Sequence, residues 1–448
     1  MAAFPVLLPK FNGFSFAIME QCNGLLLDHQ RQCLTALVNW FEGPNRNLPA
    51  LISMPTGTGK TGVMCCLPYF LGSMGLEKPK DLGVLASGTP QYPFDKPVLV
   101  IAPGNDIADQ LEGQILISAD DNTENFLVKR GIIPHDYPNK KGVLPDGEKI
   151  TDPKRLTSPE VIGGKDVVIA NVQKFVPRPA ADADADALPK KWWGEELPRN
   201  MFRLVVVDEA HHVPAPTWQR IINRFGGDAL VVFLTATPLR TDGQLVVPCE
   251  FAYELSLEDA RERGIIRRTQ WEEVDTPHDS DLEVFKQVLS KVKEIQDQKN
   301  RVHLLPNAAA HMAIAITKTT DLANEAVRLW NENHGAGTAI AYHGGVKSEL
   351  PQMMHKIRSD KVKLVVVVAM LMEGFDHPTI SVAAVMTKIT SPVKFVQFVG
   401  RAQRVVRSQQ GQENPNIIAD IVSHSFYQQA ENYGRFLNGA FVDEADEN

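Results

Sequence analysis

Short runs of aliphatic and β-branched residues recur along the chain at 50–54, 98–102, 167–170, 204–207 and 230–234. Each ends abruptly in small, polar or charged residues and is followed by a helix-forming stretch. A strand that is apolar at nearly every position must be covered on both faces, as strands are when helices flank a parallel sheet. The pattern pauses near Pro238 and resumes at 312–317, 338–341, 364–368 and 382–386, with a last candidate strand at 417–422. Two similar α/β units are the simplest account. Between them Phe285, Val288, Leu289, Val292 and Ile295 repeat at helical spacing, which predicts a helix opening the second unit after residue 280. The expected division is 1–242 for the first domain, 243–304 for a linker and connecting helix, and 305–448 for the second domain.

Two segments break the rhythm. Residues 118–165 read as a loop-like insertion rich in Lys129, Arg130, Lys140, Lys141, Lys149, Lys154, Arg155 and Lys165. A solvated loop and a nucleic-acid contact are both open readings of that charge. Residues 176–200 contain the stretch AADADADA at 180–187, which lacks the apolar periodicity of a core, and read as a second surface insertion.

Composition narrows the class. With 448 residues, 44% hydrophobic and 22% charged, the chain can form two or three ordinary globular cores without metals or bridges. A net charge of −8, from 46 basic and 54 acidic residues, excludes a chain that coats nucleic acid by bulk charge, so any polyanion site is local. Cys22, Cys33, Cys65, Cys66 and Cys249 show no paired zinc-type spacing and point to a reducing, cytoplasmic compartment, with Cys65 and Cys66 expected on a buried helix face. No run of 18 apolar residues occurs, and the proline-interrupted N-terminus lacks the basic segment of a secretory signal, so no membrane association is expected.

The chemistry concentrates at strand ends. The run 51–54 leads into Pro55-Thr56-Gly57-Thr58-Gly59-Lys60-Thr61, a phosphate loop. Its glycines let backbone N–H groups converge on a polyphosphate, Lys60 reaches the β- and γ-phosphates, and the Thr61 hydroxyl can hold magnesium. The strict eight-residue pattern has a glycine where this chain has Met54. A second strand ends in Asp208-Glu209-Ala210-His211-His212. Asp208 is the candidate second magnesium anchor, and Glu209 the candidate for orienting the attacking water and taking its proton; an exposed acid pair is the alternative. Thr235 and Thr237, in Thr-Ala-Thr-Pro, are candidates to link the 208–212 loop to whatever moves on hydrolysis. In the second unit Gln397, Gly400, Arg401 and Arg404 fall on one side if the segment is helical, which makes the two arginines candidate arginine fingers; a solvated basic face is the alternative.

In order, PTGTGKT, DEAHH, TATP, GFDHP and QFVGRAQR resemble the motifs of superfamily 2 helicases and translocases. The resemblance is strongest to the DEAH-type branch that holds the motors of type I and type III restriction enzymes and the UvsW-like and RadD-like helicases. It implies two tandem RecA-like parallel-sheet domains with the ATP site in the cleft between them, ATP and magnesium as ligands, and movement along or remodelling of DNA. Repair and restriction-like defence are the settings it suggests. It further implies that Gln30 reads the adenine, although Asp28 stands where the family often has arginine, and that Gly374 and Asp376 reach the ribose side. Pro103, Gln110 and Asn171 in the first domain, and Thr317, His343 and Gly344 in the second, would hold a nucleic-acid backbone. Alternatives are an RNA-remodelling ATPase and a nucleotide-gated scaffold. Only 29 residues precede Gln30 and 44 follow Arg404, so targeting is expected from a protein partner, from 118–165 or from Trp192-Trp193.

Overall fold

The computed structural model describes residues 26–45, 48–71, 96–116, 125–130, 132, 147–150, 158–175, 195, 197–212, 216–238, 249–303, 305–306, 309–343, 356–357, 361–368, 377–408, 411–412, 414 and 416–439. By its contacts the chain divides into two units. The first holds most residues up to Pro238 together with Leu245–Leu255, and the second holds Ser256–Asn448 together with Leu239–Gln244 and the short segment Pro55–Thr58.

The first unit is built on seven parallel strands: β1 (Ala50–Ser53), β2 (Val98–Ala102), β3 (Gly147–Ile150), β4 (Val167–Asn171), β5 (Leu204–Val207), β6 (Leu230–Thr235) and β7 (Glu250–Glu254), in the order β3-β4-β2-β5-β6-β1-β7. β1, β2, β4 and β5 are buried at every position, as the uniformly apolar runs require. On one face Leu99, Ile101, Val168, Val205, Val207 and Phe233 pack with Phe202, Trp218, Ile221 and Phe225. Helix Lys60–Leu71 follows the phosphate loop and buries Cys65 and Cys66.

The second unit has six parallel strands: β8 (Thr269–Val274), β9 (Met312–Thr317), β10 (Ala339–Tyr342), β11 (Leu364–Val368), β12 (Ile380–Val385) and β13 (Ala419–His424), in the order β10-β11-β9-β12-β13-β8. Alternation sorts its two faces. Ile314 and Ile316 of β9 join Phe395, Phe398 and Phe436 in one core, while Ala313 and Ala315 join Phe285, Val288 and Trp330 in the other. Helices therefore cover both faces. Small alanines on the second face let helices Asp281–Val302 and Thr320–His334 sit close to the sheet.

Three expectations change. Residues 118–165 are not simply a loop, since they supply edge strand β3 and helices Phe126–Lys129 and Pro159–Gly163. The stretch read as linker and connecting helix, 243–304, holds the expected helix as Asp281–Val302, but also carries β7 of the first sheet and β8 of the second. The helix expected through Arg404 runs only from Pro392 to Val399. After it, successive tight turns form from Arg401 N to Phe398 O (3.2 Å), Ala402 N to Val399 O (3.0 Å) and Gln403 N to Gly400 O (3.3 Å). Arg401 thus stands on a turn, and Arg404 just after it pairs in an antiparallel bridge with Ile266. The segments 176–194, with Trp192-Trp193, and 369–376 lie outside the described residues. Among the described residues no helix is long and apolar enough to cross a membrane.

Candidate functional site

Parallel strands bring their carboxyl ends to one edge of a sheet, and loops there are the usual place for ligands in open α/β folds. In the first sheet Ser53 is level with Thr235 on β6, and Val207 is level with Phe233. The phosphate loop after β1, the Thr235–Pro238 turn after β6 and the Asp208–His212 loop after β5 therefore emerge side by side. At a strand spacing of about 4.8 Å, β1 and β5 are roughly 10 Å apart across β6, a span that a triphosphate can bridge.

The loop has the backbone that a phosphate cradle needs. Gly57 and Gly59 adopt φ of 86° and 88°, a region that L residues with a Cβ seldom occupy. Thr58 is buried, with its hydroxyl donating to the Pro55 carbonyl at 2.7 Å and its N–H to the same oxygen at 3.3 Å. Lys60 Nζ donates to the Met54 carbonyl at 3.2 Å, so its ammonium is folded over the loop. Thr61 lies in the first turn of helix Lys60–Leu71, where the helix dipole favours anions. Within the second unit, to which Pro55–Thr58 belongs by contact, a Cβ on Gly57 would lie 3.2 Å from Arg404 Cγ, and one on Gly400 would lie 2.6 Å from Thr56 Cβ.

Asp208 is 8% exposed, and its Oδ1 accepts from the Glu209 N–H at 3.0 Å. Glu209 has φ of 49°, a left-handed backbone that is unusual for glutamate. Its Oε2 is buried and accepts no hydrogen bond from a described residue. His211 Nδ1 lies 3.4 Å from that oxygen and equally 3.4 Å from Thr235 Oγ1. Thr235 in turn accepts from the Thr237 N–H at 3.1 Å. Glu209, His211, Thr235 and Thr237 thus form one polar chain that joins the ends of β5 and β6. The motif pattern ties Thr235 and Thr237 to the 208–212 loop and to what moves on hydrolysis, and carries no signal for His211.

For magnesium, the Asp208 carboxylate and Thr61 hydroxyl are the hard oxygen donors that the ion prefers, and the residues fit it. Among the described residues no group of three or more His, Cys, Asp or Glu could hold a metal, so the ion would take phosphate and water oxygens for its remaining positions.

Other expected site residues scatter. Gln30 is 1% exposed and bonded to the phosphate loop. Gln397 lies on helix Pro392–Val399, and Arg401 is buried after it. Gln110 is exposed on helix Asn105–Ile115, and Pro103 and His343 are half-buried. Asn171 and Thr317 are buried: the Asn171 amide donates to Asn105 Oδ1 at 2.5 Å, and the Thr317 hydroxyl donates to the Thr319 carbonyl at 3.2 Å. Gly344, Gly374 and Asp376 lie outside the described residues. Lys149, one of the basic residues of 118–165, pairs with Asp109 at 2.8 Å and with Glu112.

One residue that motif reading missed organises the arginine turn. Arg267 is 2% exposed and donates to the carbonyls of Ala402 (3.0 Å), Pro378 (3.3 Å) and Ile380, while its N–H donates to the Gln403 carbonyl at 2.7 Å. The sequence carries no signal for it beyond an arginine among the apolar residues Ile265 and Ile266.

Two parallel sheets with a phosphate loop and an acidic strand end define a tandem RecA-like α/β core, the fold of superfamily 2 helicases. Residues 24–240 match the family described as "Type III restriction enzyme, res subunit". The chain is 22% identical over 263 residues to "Putative helicase 22" of the Sulfolobus islandicus filamentous virus, covering 50% of this chain and 43% of that protein. Among solved structures it is similar to Mycobacterium smegmatis helicase Lhr bound to ssDNA and AMP-PNP, with a TM-score of 0.58 and 17% identity over 97% of this chain and 51% of that one. It is also similar to S. cerevisiae Dbp5 bound to RNA and ADP BeF3, with a TM-score of 0.57 and 14% identity over 96% of this chain and 92% of that one. The chain spans about half the length of the first two of these relatives.

Proposed function

We propose that the chain is a nucleic-acid-stimulated ATP hydrolase that moves along or remodels DNA, in repair or restriction-like defence. The observation that carries this reading is Glu209. A buried carboxylate oxygen that accepts no hydrogen bond among the described residues, on a strained backbone beside the phosphate loop, is poised to accept from a water. In this reading Lys60 holds the β- and γ-phosphates and Glu209 orients the attacking water and takes its proton. Asp208 and Thr61 would hold magnesium, which would neutralise charge on the phosphate oxygens. The packing of Thr56 and Gly57 against Gly400 and Arg404 supports a role for Arg401 and Arg404 at the same triphosphate. Gln110 and His343 are the accessible candidates for a nucleic-acid backbone, and Asn171 and Thr317 would shape the loops beneath. A protein partner would supply targeting.

ATP turnover measured with single-stranded DNA, duplex DNA and RNA tests the reading. DNA should raise turnover, and Lys60→Ala and Glu209→Gln should each lower it by about 100-fold or more. Stimulation by RNA alone would support RNA remodelling instead, a reading favoured by the similarity to an RNA-bound structure. Turnover indifferent to every nucleic acid would leave a nucleotide-gated scaffold.

A further inference from the structure

Opposite charges three or four residues apart on a helix are neighbours and pair. The second unit does this where Arg328 meets Glu325 and Glu332, each at 2.6 Å, and where Arg435 meets Glu431 at 2.7 Å. Helix Leu257–Glu262 does not. Glu258 precedes Arg261 by the spacing that separates Glu325 from Arg328, yet among the described residues neither Glu258, Arg261 nor Glu262 forms an ion pair. Arg261 turns inward instead. Its guanidinium carbon lies 5.0 Å from the centre of the Phe436 ring, and its Nε and Nη2 are buried without an acceptor among the described residues. Burial lowers its pKa, against the pull of Tyr433 and Glu258. An aromatic stack holds this posture: the Phe436 and Tyr433 ring centres are 5.9 Å apart, and those of Tyr433 and Trp271 are 5.2 Å apart. The Tyr433 hydroxyl donates to Thr269 Oγ1 at 3.1 Å, which leaves the Thr269 proton available to a ligand.

These groups border a pocket of about 390 Å³, lined by Glu258, Arg261, Glu262, Arg268, Thr269 and Leu437. It lies where helix Leu257–Glu262, the start of β8 and the end of helix Ala430–Leu437 meet. Arg268 is exposed and forms no ion pair among the described residues. Two cations and two carboxylates thus face one space of small-molecule size without neutralising one another. Exposed Leu437 adds an apolar wall.

We infer that this pocket is a binding site for a small zwitterion, an α-amino acid with an apolar side chain. Its carboxylate meets the guanidiniums of Arg261 and Arg268 and the Thr269 hydroxyl, its ammonium meets the carboxylates of Glu258 and Glu262, and its side chain lies on Leu437. Charge sets the class. A bare phosphate gains the arginines and is repelled by the glutamates, a bare amine meets the reverse, and a ligand carrying both signs is matched on each wall. None of the six residues belongs to the proposed triphosphate site, so the inference stands or falls apart from that reading.

Calorimetric titration of the full chain with L-leucine, N-acetyl-L-leucine, L-leucinamide and inorganic phosphate tests it. Leucine should bind at least about 10-fold more tightly than the other three, each of which lacks one of the two charges. Arg261→Met keeps an apolar stem beside Phe436 and removes the guanidinium, and should weaken leucine by about 10- to 100-fold. Glu262→Gln changes an exposed residue and should melt with wild type. It should weaken leucine by about 5-fold and leave N-acetyl-leucine unchanged, because only leucine brings an ammonium to the carboxylate. Absence of leucine binding overturns the inference. So does phosphate or N-acetyl-leucine binding as tightly as leucine, an unchanged affinity in Arg261→Met, or an equal loss of both leucine ligands in Glu262→Gln.

Discussion

The ring of Phe126 rests on Gly62: a Cβ on that glycine would lie 2.6 Å from Phe126 Cζ and 2.8 Å from Cε2. Phe126 opens a short helix capped by Asn125, which is fully buried. Asn125 Oδ1 accepts from the Leu127 N–H at 3.0 Å, and its Nδ2 donates to the Ile115 carbonyl at 3.2 Å. Part of a segment that reads as a loop-like insertion is therefore pressed against the helix that follows the phosphate loop. The Gly62→Ala methyl would meet both Phe126 and the Gln30 amide. The expected outcome is a loss of about 1–3 kcal/mol in denaturant unfolding, with weaker nucleotide binding. Phe126→Ala in the same chain should return part of the loss, because it opens the space the methyl needs.

Glu209 holds a left-handed backbone that glycine adopts without strain. Glu209→Gly should therefore be no less stable than wild type, with relief of up to about 1 kcal/mol set against the greater freedom of glycine in the unfolded chain. Hydrolysis should fall by about 100-fold or more. Thermal melting and turnover measured on one preparation check both halves. A marked drop in melting temperature would show that the carboxylate stabilises the loop.

Most of the central strands could be read from the sequence because burial on both faces leaves an unbroken apolar run, as in Val98–Ala102 and Leu364–Val368. Helix Asp281–Val302 could be read because one face alone is buried, at Val284, Phe285, Val288, Leu289, Val292 and Ile295. The edge strands β3 and β8 lack that signature. β3 is Gly-Glu-Lys-Ile, and β8 carries Gln270, Glu272 and Glu273, so their place in the sheet is fixed by pairing with β4 and β13 rather than by their own composition. The end of helix Pro392–Val399 was hidden for a similar reason. Its apolar spacing continues, but Arg267 captures the Ala402 and Gln403 carbonyls from 135 and 136 residues away in sequence. Of the site, the loop, Asp208 and Glu209 were visible as motifs because each sits at the end of a buried strand. The parts set by long-range packing, Arg267, Phe126 and the posture of Gln30, were not.

His311 gives the second unit a pH dependence. It is fully buried, with Nδ1 2.8 Å from Ser381 Oγ and Nε2 2.8 Å from the His303 carbonyl. Burial pushes its pKa down to about 4, and the nearby Lys299, Arg267 and His303 push the same way, although the hydrogen bond to the His303 carbonyl opposes them. Between pH 4 and the unfolded value of 6.5 the unfolded chain binds the extra proton. Stability therefore rises with pH across that window and is level above it. The neutral ring is the one that fits. Urea unfolding at pH 5 and pH 7 should show a slope that His311→Gln flattens, and an equal slope in the variant would assign the effect to other groups.

Arg267 fastens the turn that carries Arg401 and leads into Arg404. Its guanidinium satisfies three carbonyls that are remote in sequence, and the Gln403 amide returns a bond to the Arg267 carbonyl at 3.2 Å. Arg267→Met keeps much of the volume and leaves those carbonyls without their charged donor. The loss of a buried charge-assisted network should cost about 3 kcal/mol. Arg267→Lys should recover little of this, because one ammonium cannot span the positions that the planar guanidinium reaches. If Arg401 and Arg404 act on the triphosphate as proposed, turnover in Arg267→Met should fall more than nucleotide affinity does, since the three carbonyls lie in the second unit while Lys60 and Thr61 belong to the first. Measuring kcat and KM where the variant remains folded separates these outcomes, and a loss confined to KM would place the turn outside the chemical step.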